Sequence, residues 1–166
     1  MNSTVKKIAV SAMMAALICI ATMLRVPLPA VGYVNLGDAF VLLAGCCLPM
    51  PYGILAAGIG SGMADLLSGY AMYIPVTFAI KGLMAFLMFA GQRVKCCSNK
   101  RIIGNIVGAT AAELTMVLGY YVFEGIMFGF VPMLVNIPYN ALQGIVGAVA
   151  GILLIRVFNK TKIFMY

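Results

Sequence analysis

The chain has 166 residues, 64% of them hydrophobic and only 9% charged, with a net charge of +7. Average soluble domains are roughly 45–50% apolar and about 25% charged, so a chain of one-domain size with a mean hydropathy of +1.08 takes lipid as its solvent. This excludes a disordered chain, a nucleic-acid binder and a secreted disulfide scaffold, and the lack of any His excludes a Ser-His-Asp triad, a His general base and a His-ligated metal.

A membrane-spanning helix needs about 20 mostly apolar residues, and shorter ones occur inside bundles. Six candidates follow in chain order: Val5–Leu24, Leu36–Leu48, Tyr52–Ser68, Pro75–Gln92, Ile102–Glu124 and Ile137–Phe158. The first follows the basic start MNSTVKK, lacks a small-residue cleavage site and precedes further spans. It is read as a membrane helix, not a removable signal. The second is short. Pro27 and Pro29 end the first helix, Pro49 and Pro51 separate the second from the third, and Gly69 and Pro75 bracket the next turn. Pro75 stands where a first-turn proline is tolerated. The segment Gly125–Pro138 reads as an apolar loop that partly re-enters the membrane.

Lys and Arg set the orientation. With the N-terminus inside, Lys6 and Lys7, the loop bearing Arg93, Lys95, Lys100 and Arg101, and the tail with Arg156, Lys160 and Lys162 are all cytoplasmic. That sorts nine of the eleven basic residues to one side, leaving Arg25 outside and Lys81 within the fourth helix. The expected fold is therefore an all-α integral membrane bundle of six transmembrane helices, residues 1–166 as one domain, with both termini cytoplasmic. Asp38, Asp65 and Glu124 then fall near the outer face, as do Tyr33, Tyr70, Tyr73, Tyr120, Tyr121 and Tyr139. An aromatic belt marks both interfaces, so this one-sidedness points to an outward-facing pocket.

The chemistry-bearing positions follow the same order. Ala12 and Ala16 form a small-residue stripe on the first helix, which serves close packing within the bundle or against another protein. Asn35 and Asp38 have the spacing of a capping box with Asp in place of Glu; a cap at a pocket mouth can also meet a ligand. Gly58, Gly60 and Gly62 suggest a phosphate loop, but no strand precedes them and no Gly-Lys-Ser/Thr follows. Close helix packing is the better reading, and ATP hydrolysis by that route needs a partner. Asp65 and Lys81 lie at similar depth and can pair. Ionisable groups inside a membrane face the bundle interior or a watery cavity, whether they act structurally or on a ligand. Glu113 falls near the midplane, where its cost calls for polar partners. Asn136, Asn140 and Gln143, spaced i, i+4, i+7, share one face of the sixth helix, with Tyr139 beside them. Amides both donate and accept hydrogen bonds without charge, which suits a heteroaromatic or polyhydroxy ligand. The five Cys form no C-x-x-C, so a metal site has no support. A polar outer half over an apolar inner half suits a small-molecule pocket, not a channel lined along its depth.

Those residues together resemble the substrate-binding (S) component of energy-coupling-factor (ECF) vitamin transporters. The resemblance rests on size, six helices, the Ala12/Ala16 stripe, and the stretches Gly32-Tyr-Val-Asn-Leu-Gly-Asp38, Ala64-Asp-Leu-Leu-Ser-Gly-Tyr70 and Ile80-Lys-Gly82. It implies a bacterial plasma-membrane protein that is no enzyme and holds no cofactor. Such a protein captures a vitamin or vitamin precursor outside the cell and works with a transmembrane coupling protein and two ATPases. It also implies that Ala12 and Ala16 dock the coupling protein. Ligand contacts would come from Tyr33, Asn35, Asp65, Tyr73, Lys81, Asn136, Tyr139, Asn140 and Gln143. A pyridoxine- or hydroxymethylpyrimidine-like ring is the favoured ligand. The alternatives are riboflavin or another vitamin, or a stand-alone proton-coupled carrier using Glu113 or Asp65.

Overall fold

The structure is a computed structural model that describes residues 3–27, 33–93 and 100–161. Pro29, Lys95, Cys96, Cys97 and Lys162 lie outside the described residues, as do the side chains of Tyr33, Lys100, Arg101 and Lys160.

Six principal helices form where the apolar runs predict them, with ends within about a turn. They are α1 (Ser3–Met23), α2 (Gly37–Cys47), α3 (Met50–Leu67), α4 (Ile74–Gly91), α5 (Lys100–Phe128) and α7 (Asn136–Thr161), with a single-turn α6 (Phe130–Met133) between the last two. Pro51 and Pro75 sit in the first turns of α3 and α4, where the missing N–H costs nothing. Gly69, at φ +82°, makes the left-handed turn that releases α3 into the loop before α4. Segments spanning α1, α4, α5 and α6–α7 are long and apolar enough to cross a membrane.

Two expectations change. Between α1 and α2 the chain forms a short antiparallel hairpin, β1 (Arg25–Pro27) with β2 (Tyr33–Asn35), pairing Arg25 with Asn35. The segment from Gly125 is not a re-entrant loop, since α5 runs on to Phe128 and Gly129, at φ +97°, turns directly into α6. Continuing the helix satisfies the backbone internally, as an apolar setting requires.

Helix α2 is the axle of the fold, with eight of its eleven residues buried. It packs against α1, α3, α4 and α7. Val41, Leu42 and Leu43 meet Met84, Met88, Met116 and Ile155 in the core. The outer faces remain apolar: Ile8, Met13, Leu114, Ile145 and Val149 are all exposed, a surface that hydrocarbon covers and water would not.

Glycines set the interhelix distances. A Cβ on Gly60 would stand 2.5 Å from the Ala15 carbonyl oxygen of α1, whereas one on Gly62 would meet nothing nearer than Ile74 Cγ2 at 3.5 Å. Gly60→Ala is therefore expected to cost about 1–3 kcal/mol through overpacking, and Gly62→Ala close to nothing. Apparent melting temperatures of the two variants in the same detergent check this; equal values would mean that α1 does not lie on α3 at this height.

Candidate ligand-binding site

Consecutive helices alternate in direction, so one end of the bundle gathers the C-terminal turns of α1, α3 and α5 with the N-terminal turns of α2, α4 and α7. A cavity of about 340 Å³ opens there, lined by Thr22, Asn35, Asp65, Tyr70, Tyr73, Thr77, Lys81, Tyr120, Glu124, Asn136, Tyr139, Asn140 and Gln143. The first turn of α1 and the last turn of α7 lie at the other end.

Helical register places these side chains. Tyr73, the N-cap of α4, recurs at four-residue spacing with Thr77 and Lys81 inside that helix, Tyr120 and Glu124 repeat the spacing on α5, and Asn136, Asn140 and Gln143 share a face of α7. Of the nine residues singled out in the sequence, eight line this cavity. The ninth, Tyr33, belongs by its backbone to β2.

The partner of Lys81 is not the expected one. Its ammonium forms a buried ion pair with Asp38, not Asp65. Asp38 sits in the first turn of α2 with no exposed surface, and α2 packs directly on α4. Asp65 lies instead beside Thr77 and Arg25. The pair belongs to a chain of bonds: Gln143 Nε2 donates to Asp38 Oδ2 at 2.8 Å, and Asn35 Nδ2 donates to Gln143 Oε1 at 3.1 Å. Lys81 also lies 5.7 Å from the centre of the Tyr120 ring, whose hydroxyl shares a hydrogen bond of 3.1 Å with Thr77. Helices α2, α4 and α7 are thus cross-linked at the cavity floor.

The capping box is not formed. Leu36 occupies the N-cap without a side-chain cap bond. Asn35 Oδ1 instead accepts the Gly37 N–H at 2.9 Å, and Asp38 is committed to Lys81 and Gln143. Glu113 lacks the hydrogen-bonding partners its depth called for, since neither carboxylate oxygen has one among the described residues. It packs beside Asp38: both approach within 3 Å of the point where a Gly147 Cβ would be.

On the opposite wall Glu124 accepts from Asn136 Nδ2 at 2.9 Å and from the Tyr73 hydroxyl at 3.5 Å. Tyr73 meets Phe123 edge-on at 5.2 Å and Tyr70 at 6.2 Å. Above them Arg25 of β1 donates to Ser68 Oγ at 3.0 Å and stacks over Tyr70 at 5.1 Å, tying the hairpin to the α3–α4 turn. Asn140 makes no side-chain hydrogen bond among the described residues, so its donor and acceptor both remain available to a ligand. No group of three or more His, Cys, Asp or Glu able to hold a metal stands among the described residues.

Sequence reasoning passed over Thr22 and Thr77, placed Tyr70, Tyr120 and Glu124 at the outer face without naming them as ligand contacts, and missed Asp38 as the Lys81 partner. The four-residue spacings on α4 and α5 were the available signal. Ala12 and Ala16 are exposed on α1, while their neighbours Met14 and Ile18 are buried. The stripe therefore does not pack within the bundle.

An apolar helical bundle with a polar cavity at its end defines a membrane-embedded small-molecule binding protein. The description of ECF-type riboflavin transporter S components matches residues 2–160, and the chain belongs to that family. It is 30% identical over 136 residues to an uncharacterized protein in a gap 3′ region of Pyrococcus woesei, covering 81% of this chain and 88% of that one. Its fold matches the solved S component of a bacterial ECF transporter with a TM-score of 0.74 at 22% identity, over 97% of this chain and 99% of the other.

Proposed function

We propose that this protein is the subunit that captures a nitrogen-heterocyclic vitamin from outside the cell and passes it inward through an ATP-driven complex with a transmembrane coupling protein and two ATPases. The observation that carries this reading is the polar cavity at one end of an otherwise apolar bundle. Lys6, Lys7, Arg93 and Arg156 belong to the other end by their place in the helices. The bias of basic residues towards the cytoplasm therefore turns the cavity outward and both termini inward.

Asn35, Asp65, Tyr73, Lys81, Asn136, Tyr139, Asn140 and Gln143 are the proposed ligand contacts, together with Tyr33 of β2. Ala12 and Ala16 are the proposed docking residues for the coupling protein. A volume of about 340 Å³ lies at the low end of the roughly 300–1,000 Å³ typical of ligand pockets. That favours a single ring of the pyridoxine or hydroxymethylpyrimidine kind. Riboflavin is the second reading, favoured by the family to which the chain belongs.

Mass spectrometry of the small molecule released on denaturing the purified protein tests this directly. A vitamin present at near-equimolar amount is the expected result. Uptake by the chain alone in liposomes, driven by a pH gradient without any ATPase, would instead establish a stand-alone carrier.

The Asn140 amide is the contact least occupied by the protein itself. Asn140→Ala is expected to weaken ligand binding by about tenfold to a hundredfold, the equivalent of one or two lost hydrogen bonds. The melting temperature without ligand should stay unchanged. Titration calorimetry in detergent checks it, and unchanged affinity would place the ligand elsewhere in the cavity.

A further inference from the structure

The chain carries a net charge of +7 and has only four acidic residues. All four, Asp38, Asp65, Glu113 and Glu124, are buried, three of them at the same end of the bundle and Glu113 deeper behind them. Asp65 and Glu124 line the cavity, Asp38 holds Lys81 at its floor, and Glu113 packs behind Asp38. The one lysine of the lining is committed to Asp38. The nearest further cation, Arg25, stands at the rim, where it is bonded to Ser68 and stacked on Tyr70.

The second observation is at Asp65. This side chain is 8% exposed, lines the cavity, and has a buried carboxylate oxygen, Oδ2, with no hydrogen-bond partner among the described residues. An unmet acceptor in a low-dielectric wall is costly to the empty protein and is relieved by a ligand that brings a donor. On the other wall, Glu124 accepts from neutral donors, Asn136 and Tyr73. A positively charged protein has therefore placed its acidic side chains around this cavity.

Taking the capture of a heterocyclic vitamin as its basis, we infer that this pocket selects its ligand by charge. It takes a neutral or cationic heterocycle that presents N–H or O–H donors to Asp65 and Glu124, and it rejects the phosphate ester of the same compound. Like charges brought together across a desolvated contact disfavour binding steeply. A phosphate dianion here meets carboxylates on two walls, and the lysine that would attract it is already neutralised. The consequence is selective: the protein takes up the free vitamin and leaves the phosphorylated form outside.

The test uses the full chain in detergent, stripped of ligand, and three pairs of probes: pyridoxine and its 5′-phosphate, hydroxymethylpyrimidine and its phosphate, and riboflavin and its 5′-phosphate. In whichever series binds, the free compound is expected to bind on the order of 100-fold more tightly than its ester. Asp65→Asn and Glu124→Gln, made singly and together, keep size while removing charge, and should close that gap to about tenfold or less. Pyridoxamine, which adds an ammonium, is expected to bind the wild-type protein at least as well as pyridoxine, a comparison that needs no variant. Equal binding of a vitamin and its ester, or a gap that the amide variants leave intact, would overturn selection by charge while leaving vitamin capture standing. Failure of all three free compounds to bind would overturn the capture reading and this inference together.

Discussion

Lys81→Met is expected to be the most damaging single change at the site. It leaves Asp38, with no exposed surface, and Glu113, 6% exposed, side by side with no cation between them. Removing one member of a buried pair strands the other, at about 3–5 kcal/mol. Asp38→Asn should be milder. Lys81 would still lie 5.7 Å from the Tyr120 ring, while Asn in place of Asp38 could still accept from Gln143. The double variant Lys81→Met with Asp38→Asn is expected to regain a large part of the lost stability, because coupled residues are not additive. It should not regain ligand binding, since the Lys81 wall of the cavity is gone. Thermal unfolding in detergent with a ligand titration for each of the three variants measures all of this. A double variant no more stable than Lys81→Met would show that Lys81 and Asp38 do not act as a pair.

What the sequence made legible was set by distance along the chain. Apolar runs broken by Pro27, Pro49, Pro51 and the basic stretch from Arg93 give the six helices, because the membrane demands a fixed length of apolar helix. The amide spacing puts Asn136, Asn140 and Gln143 on one face without knowledge of any other helix. What it left open was rotation and neighbourhood. Depth alone gives Lys81 two acids at similar height. The structure selects Asp38 because α2 is central and buried, which an eleven-residue helix does not advertise. Asp38 looked like a cap because it opens that short helix. Glu124 was placed at the outer face but not among the ligand contacts, because the apolar run was taken to end there; with α5 continuing to Phe128, Glu124 lies a full turn inside the helix and lines the cavity with Tyr120. The hairpin strands are three residues each, too short for any alternation to register. For Ala12 and Ala16, spacing puts both on one stripe but cannot say which way that stripe faces.

That stripe carries the second large effect. Ala12→Trp is expected to weaken assembly of the complex, and with it ATP-driven uptake, while leaving ligand binding intact. Ala12 is exposed, and it stands ten residues, roughly 15 Å of helical rise, from Thr22, the α1 residue that lines the cavity. A tryptophan there projects from the bundle and meets no packed neighbour, so folding and the cavity are unaffected. A coupling protein that needs close backbone approach across small side chains meets the full bulk of an indole. Overpacking a close contact costs about 1–3 kcal/mol, which is roughly fivefold to more than a hundredfold in assembly. Leu114→Trp, on the exposed face of α5, is the matched control: it adds the same bulk to a surface that contacts only lipid in this reading, and should change neither assembly nor uptake. Co-purification of the coupling protein and ATPases with each variant, beside a binding titration, separates the outcomes. Loss of binding with Ala12→Trp would mean that α1 shapes the cavity at a distance. Normal assembly with Ala12→Trp and failure with Leu114→Trp would move the docking face from α1 to α5.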